Sequence, residues 1–215
     1  MFCSQSKTIE KLCNSILPDD YEIYKAPSKN GNAIEVRVAL QVMDIDEINE
    51  YSMDFRLHSF ITAIWNDTRL KLDEYKGGGN SNSLYEKCRH YIWTPDLFFE
   101  NAKKVDLFEN TSPSTILKKR SDGAIVMTKR YSFKAGCEMN FENYPFDHQK
   151  CRFLLALMYS SDNIARLKWM GETSYKSEIS SIIISRTVQP LQFSLQASYT
   201  YELTETWLEG EEYTA

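Results

Sequence analysis

The side chains of this sequence best suited to chemistry are its cysteines, histidines and hydroxyls, and their spacing excludes most of what such groups can do. The five cysteines, at 3, 13, 88, 137 and 151, contain no C-x-x-C pair, and His58, His90 and His148 show no ligand periodicity. No metal site is expected on that pattern. No Ser or Cys nucleophile elbow can be placed, nor a His base beside a nucleophile, which argues against an enzyme. Gly77-Gly78-Gly79 lacks the Gly-Lys-Ser/Thr ending of a phosphate loop and reads as a connector, so no cofactor is expected. What remains is thiol oxidation. An odd cysteine count leaves at least one unpaired within the chain. Residues 4–17 read as a short amphipathic helix, along which Cys3 and Cys13 would stand roughly 15 Å apart, too far to bridge. A bridge from Cys88 to one of the other cysteines stays open. Cys137 and Cys151 enclose thirteen residues. A disulfide fits that spacing, would add roughly 3 kcal/mol by the chain-entropy argument, and implies an oxidising compartment.

Elements must position whatever these residues do. The chain has 215 residues, a net charge of −5, 42% hydrophobic and 26% charged residues. That is enough to bury a core, and the mildly acidic balance offers no basic face for nucleic acid. Apolar runs fall short of the roughly 20 residues a membrane helix needs, and the N-terminal Met-Phe-Cys lacks the apolar core of a signal peptide, so the chain is expected to be soluble as it stands. The dominant pattern is period two. Ile34, Val36, Val38, Leu40 and Val42 alternate with Glu35, Arg37, Ala39 and Gln41. Residues 53–65 carry Met53, Phe55, Leu57, Ile61, Ala63 and Trp65 on one parity, residues 125–133 carry Ile125, Met127, Tyr131 and Phe133, and residues 191–203 alternate over a longer run. Residues 151–159 are apolar on both parities, as in a central strand. Turn residues punctuate these runs at 29–32, 77–80, 121–123 and 171–172, with Asp122-Gly123 the best hairpin signal. Strands separated by turns, without alternating long helices, predict an all-β sandwich or barrel. With no repeat, linker or composition break, residues 1–215 read as one domain.

Misfits to the parity carry more information. Phe60 lies on the face of Asp54, Arg56, His58 and Thr62, so an aromatic projects among polar neighbours. It is either a lone surface aromatic or part of an interface or ligand wall. Thr128 and Arg130 share the polar face of their strand. Arg130 is either solvated or paired with an anion. Within 137–151, Phe141, Tyr144 and Phe146 crowd around Pro145 beside Asp147, which gives a surface loop reason to pack on something.

That segment, Cys137-Glu-Met-Asn-Phe-Glu-Asn-Tyr-Pro-Phe-Asp-His-Gln-Lys-Cys151, resembles the signature of the Cys-loop family of pentameric ligand-gated ion channels, with thirteen residues between the cysteines and an aromatic-Pro-Phe-Asp core. Trp93-Thr94-Pro95-Asp96-Leu97-Phe98-Phe99 is similar to the family's W-x-P-D motif, and Trp65-Asn66-Asp67-Thr68-Arg69-Leu70 to its W-x-D strand end, in the right order over most of the chain. The wording is most similar to the anion-selective glycine, γ-aminobutyrate and glutamate receptors.

The resemblance implies an extracellular ligand-binding domain on the outer face of the plasma membrane. Its fold would be an immunoglobulin-like β-sandwich of about ten strands with a short N-terminal α-helix, assembled as a homo- or hetero-pentamer. A small agonist of amino acid or amine type would bind between subunits. The principal side would hold Phe98, Glu100, Asn101, Met158, Tyr159 and Ser160, then a hairpin with Trp207 and Tyr213. The complementary side would hold Phe60, Thr62, Thr128 and Arg130. Two positions depart from the family: Thr62 stands where amino-acid-gated receptors often place an Arg for the ligand carboxylate, and Met158 stands near an expected aromatic. Binding would couple to gating through Tyr144, Pro145, Phe146 and Asp147 and through a turn at Asp44-Ile45-Asp46-Glu47. The membrane helices and final strand of the family would follow position 215; without them the chain would instead be a soluble ring of the acetylcholine-binding-protein type. Such soluble relatives tend to have a more polar loop, so Phe141, Tyr144 and Phe146 favour a channel.

Two sequons, Asn66-Asp67-Thr68 and Asn110-Thr111-Ser112, are compatible with secretion. Asn110 reads as the better acceptor, because packing at the strand end could exclude a glycan from Asn66.

Overall fold

A computed structural model describes residues 10–11, 13–28, 31–72, 83–84, 86–108, 115–120, 122–158, 160–170, 182–184, 204–206 and 212–214, with only the backbone described at 83, 86–87, 204–206 and 212–214. The structure is mostly β. Its strands are β1 (Ile34–Asn49), β2 (Asp54–Trp65), β3 (Ser83–Leu84), β4 (Leu97–Phe99), β5 (Ala102–Leu107), β6 (Thr115–Lys119), β7 (Ile125–Gly136), β8 (Leu155–Leu157), β9 (Ala165–Trp169), β10 (Ile182–Ile184), β11 (Thr204–Thr206) and β12 (Glu212–Thr214). The main sheet runs β10-β1-β2-β7-β6-β3, with β5 also on β7 and β9 also on β1; β4 pairs with β8, and β11 with β12.

Alternation places the core as the sequence predicts. Val36, Val38 and Leu40 of β1, Leu57, Ile61, Ala63 and Trp65 of β2, and Ile125, Met127, Tyr131 and Phe133 of β7 are buried in one cluster. Polar residues on the same strands take the other face. Phe99 of β4 carries its ring into this cluster, 5.1 Å from Tyr131, 4.5 Å from Phe133 and 5.8 Å from Phe153. Large rings in tilted and stacked contact bury much apolar area and add to it by their geometry. Burial pushes the Tyr131 phenol up to about 12, since no solvent stabilises its anion.

The Asp122-Gly123 hairpin forms as expected: Gly123 takes φ +86° and the Arg120 amide donates to the Ala124 carbonyl at 2.8 Å, joining β6 to β7. A residue with a Cβ would be strained at that φ. Three expectations need correction. The turn expected at 44–47 is instead the lower end of β1, with register shifts between Val42 and Asp44 and between Asp46 and Asn49; the chain reverses at 50–53. The continuous strand expected over 151–159 shortens to Leu155–Leu157, because the Asn101 side chain takes the Leu154 N–H and the Arg152 carbonyl in place of a strand partner. Met53 is 43% exposed rather than in the core.

Of the expected helix over 4–17, Glu10, Lys11, Cys13 and Asn14 are described and helical. Cys13 bridges Cys88, in the 3-10 turn Glu86–His90, which settles the partner of Cys88; Cys3 lies outside the described residues. Cys137 bridges Cys151 as expected. The long run at 191–203, the glycine triplet and the turn at 171–172 lie outside the described residues.

Candidate functional site

The β2–β7 ladder gathers the four residues expected on one wall. Phe60 stands directly opposite Arg130 and Thr62 opposite Thr128, so all four side chains share one face in two adjacent rows. The Thr62 and Thr128 hydroxyls are hydrogen-bonded at 2.9 Å. Arg130 lays its guanidinium over the Phe108 ring, 4.3 Å from the centroid, an electrostatically favourable seat for a cation. Its Nε is buried and has no hydrogen-bond partner among the described residues. The sequence reading missed Phe108, which follows the end of β5. Since Leu107 pairs with Tyr131, one further antiparallel step puts residue 108 beside 130, and that register is the signal that could have found it. His58 extends the row, its Nε2 3.4 Å from Asp46 and its ring centroid 6.4 Å from that of Phe108. The wall therefore presents one guanidinium, two hydroxyls and two aromatic rings, a set suited to an anionic or hydrogen-bond-accepting group.

A second group lies on β4 and β8, which pair Phe98 with Ala156 and Leu97 with Leu157. This places Phe98 and Met158, 37% and 46% exposed, at neighbouring positions. Ser160 is buried, with its hydroxyl 3.5 Å from Asp96. Asn101 is committed to the fold: its amide donates to the carbonyls of Gly136 (3.1 Å) and Arg152 (2.6 Å), and its oxygen accepts from Leu154 N–H (3.1 Å). Glu100 is exposed, with its backbone N–H on the Leu154 carbonyl at 3.2 Å. A hairpin does form at β11–β12, pairing Glu205 with Tyr213, and β12 comes within 8 Å of β8 and β9 between Cα atoms. Trp207 and Tyr159 lie outside the described residues, as does the Tyr213 side chain.

At one end of β2 the chain exposes a different set. Tyr51, at the β1–β2 reversal, is 99% exposed, and in the disulfide-closed loop Tyr144 is 67% and Phe146 85% exposed. The loop holds itself up. Gln149 donates to the Asn140 carbonyl and to Asp147, and accepts from Asn140 N–H at 2.8 Å. Beneath it Asp54, almost wholly buried, meets Lys103 at 2.9 Å, Lys134 at 3.6 Å and the Ser52 hydroxyl at 2.8 Å. Burial alone would raise the Asp54 carboxyl, but the Lys103 hydrogen bond, with Ser52 and Lys134, holds it below the usual carboxylate range. Lys103 also donates to the Ser52 carbonyl at 2.6 Å, and Cys137 N–H to the Met53 carbonyl at 2.9 Å. The β1–β2 reversal, β5 and the start of the loop are thus fastened together. Asp44 and Asp46 line the lower part of β1, with Asp46 against His58.

At the opposite end of β2, Tyr21, Asp67 and Arg69 form a structural clamp. Arg69 grips buried Asp67 with two nitrogens, at 2.9 and 2.8 Å, the strong bidentate geometry. Tyr21 donates to Asp67 at 2.8 Å and accepts from Trp93 N–H at 2.8 Å, while Arg69 reaches the Lys25 carbonyl at 2.9 Å. Burial raises the Tyr21 phenol well above its ordinary value, and the Asp67 hydrogen bond raises the Arg69 guanidinium against the opposing effect of burial. Asn66, beside the clamp, is exposed; Asn110 lies outside the described residues. On β1 and β9, Glu35 bridges Arg37 (2.5 Å) and Lys168 (3.0 Å); burial opposes, but those two cations hold its carboxyl low. Among the described residues no group of three potential ligands could hold a metal, and no helix is long and apolar enough to cross a membrane.

With this geometry in hand, comparison with known proteins is specific. The neurotransmitter-gated ion-channel ligand-binding domain family matches residues 9–211. The γ-aminobutyric acid receptor subunit rho-2 of Bos taurus is 30% identical over 162 residues, covering 74% of this chain and 34% of its own length. The rho-1 subunits of Mus musculus and Homo sapiens are each 28% identical over 162 residues, covering 74% of this chain and 33% of theirs. The chain spans about a third of the length of these curated relatives.

Proposed function

The chain belongs to the neurotransmitter-gated ion-channel ligand-binding domain family, and from that premise we propose that residues 1–215 form a single extracellular domain of a pentameric ligand-gated channel. The agonist is a small amino acid captured between neighbouring subunits. Its relatives among the rho subunits are named for γ-aminobutyric acid. The observation that carries the reading is the wall of Phe60, Thr62, Thr128 and Arg130, brought into two adjacent rows by one strand ladder. Arg130, seated on Phe108, and the paired hydroxyls receive the carboxylate, and Phe60 packs against the ligand's carbon chain. Thr62 supplies a hydroxyl where the amino-acid-gated receptors often have an Arg, so a single guanidinium meets the anion. The neighbouring subunit contributes its Phe98 and Met158 segments and the β11–β12 hairpin with Trp207 and Tyr213, which close over the ligand.

Ligand binding acts on the channel by favouring one arrangement of the ring, which requires tighter binding to that arrangement. The aromatics Tyr51, Tyr144 and Phe146 project at the end where membrane segments would meet this domain, with Pro145 and Asp147 shaping the loop and Asp44 and Asp46 on the adjoining strand. Their exposure supports a channel over a soluble ring, because a soluble protein gains nothing from apolar groups held in water. The described sheet and the separate β4–β8 pair are the two faces of the proposed sandwich, with the helical residues Glu10, Lys11, Cys13 and Asn14 in its N-terminal segment.

Calorimetric titration of the assembled protein with glycine, γ-aminobutyrate, glutamate and biogenic amines tests the reading. Saturable binding of one of the amino acids, with no heat from amines, is the expected result. An amine alone, or silence across the panel, would reject an amino acid agonist.

A further inference from the structure

We propose that Asn66 carries an N-linked glycan, attached at the apex of the subunit opposite the disulfide-closed loop. Packing at the end of β2 does bury one residue of the Asn66-Asp67-Thr68 sequon, but it is the middle one. Asp67 points inward to Arg69 and Tyr21 and is 2% exposed, whereas Asn66 and Thr68 on either side are exposed. This is the alternation a chain leaving a strand retains, and it sets the acceptor amide and the sequon hydroxyl outside together. The burial of Asp67 against Tyr21, 46 residues away, comes only with folding, so a nascent chain offers the sequon unobstructed and the folded chain keeps the sugar in solvent.

Two further observations support it. The disulfides Cys13–Cys88 and Cys137–Cys151 belong to a chain that matures in an oxidising compartment, where oligosaccharide transfer also takes place. The position is also free of the surfaces discussed above. Asn66 is four residues along from Thr62 and twelve from Asp54, so it stands roughly 13 Å from the near edge of the ligand wall and roughly 40 Å from the loop end at strand rise. In the transfer, Nδ2 of Asn66 forms a bond to the anomeric carbon of an oligosaccharide carried on a polyprenyl diphosphate. The bond from that carbon to the phosphate oxygen breaks, the polyprenyl diphosphate leaves with the electron pair, and one amide proton passes to a base.

The test uses the full chain behind a cleavable secretion leader, expressed in eukaryotic cells with Asn110→Gln in the background, so that any remaining sugar belongs to Asn66. Total cell material and secreted protein are both assayed, since transfer precedes folding. Expected is a mobility shift on glycosidase treatment and heavy-oxygen labelling of position 66 when the enzyme works in labelled water. The shift should vanish in both Asn66→Gln and Thr68→Ala and persist in Thr68→Ser. An unlabelled position 66, with mobility unchanged by glycosidase in chains that have formed their disulfides, overturns the proposal. Neither result depends on any ligand being found.

Discussion

Thr62 and Thr128 face each other across β2 and β7 with their hydroxyls 2.9 Å apart, in the row next to the Phe60–Arg130 pair. The hydrogen bond holds both oxygens at one height beside the guanidinium. Replacing Arg130 with Met removes a charged donor, so agonist affinity should fall about 10- to 100-fold, the range for a charge-assisted hydrogen bond. Thr62→Val removes a neutral hydroxyl and should cost about tenfold or less. Equal losses in the two variants, measured by titration of the assembled protein, would contradict the assignment of the anion to Arg130.

The Asp67–Arg69–Tyr21 clamp predicts a stability effect with no effect on ligand affinity. Asp67 is fully buried at the side chain. Arg69→Met leaves that carboxylate without its bidentate partner, and breaking a buried pair from one side costs about 3–5 kcal/mol. Urea unfolding should show the loss as a lower midpoint at unchanged slope. A change under about 1 kcal/mol would mean that Tyr21 and the backbone suffice.

The two disulfides should differ in worth. Cys137 and Cys151 are 14 apart in sequence and Cys13 and Cys88 are 75 apart. By loop-closure entropy, removing the first should cost about 3 kcal/mol and the second about 4.5 kcal/mol. Thermal melts of the paired Cys→Ser variants should therefore place Cys13→Ser/Cys88→Ser below Cys137→Ser/Cys151→Ser. The reverse order would point to strain released at the longer loop, or to packing lost at the shorter one.

Alkaline pH should destabilise the protein through Tyr21, whose phenol is also raised, and through Tyr131. The folded value of Tyr131, about 12, lies above the ordinary tyrosine value near 10, so the neutral form is favoured by folding. That stability is fully present below pH 10 and declines as pH rises towards 12, by on the order of a few kcal/mol at most, about 1.4 kcal/mol for each pH unit between the two values. Tyr131→Phe keeps the ring contacts with Phe99 and Phe133 and should flatten this decline. An unchanged alkaline profile in Tyr131→Phe would assign it to another group.

How much of this the residues announced depends on the range of the interaction. Strands β1, β2 and β7 are legible because parity is local: Leu57, Ile61 and Trp65 face the core for the same reason that Phe60 and Thr62 do not. Phe60 and Arg130 could each be singled out as a misfit, but only the strand register puts them opposite each other. The Cys13–Cys88 bridge was open in the sequence because nothing local ties residues 75 apart. Residues 44–47 are a turn only in what the family resemblance implies; the structure uses them as the solvated end of β1, with Glu47 at φ +46° and an ion pair to Arg56 at 2.6 Å. Asp54 sits on the polar parity yet is buried, since Lys103 and Lys134 come to it from other strands. Asn101 looked like a ligand-facing side chain, and its three backbone bonds show how a polar residue can instead replace a missing ladder.

The ladder from Asp54–Gly136 to Trp65–Ile125 runs through twelve consecutive pairs with no bulge, whereas the β1–β2 pairing breaks register twice in its lower half. Stiffness and slack are therefore laid side by side. On the proposed function, a displacement at Arg130 would be carried along an unbroken ribbon to the lysine-clasped aspartate six rows away, while the neighbouring strand would give at its two dislocations.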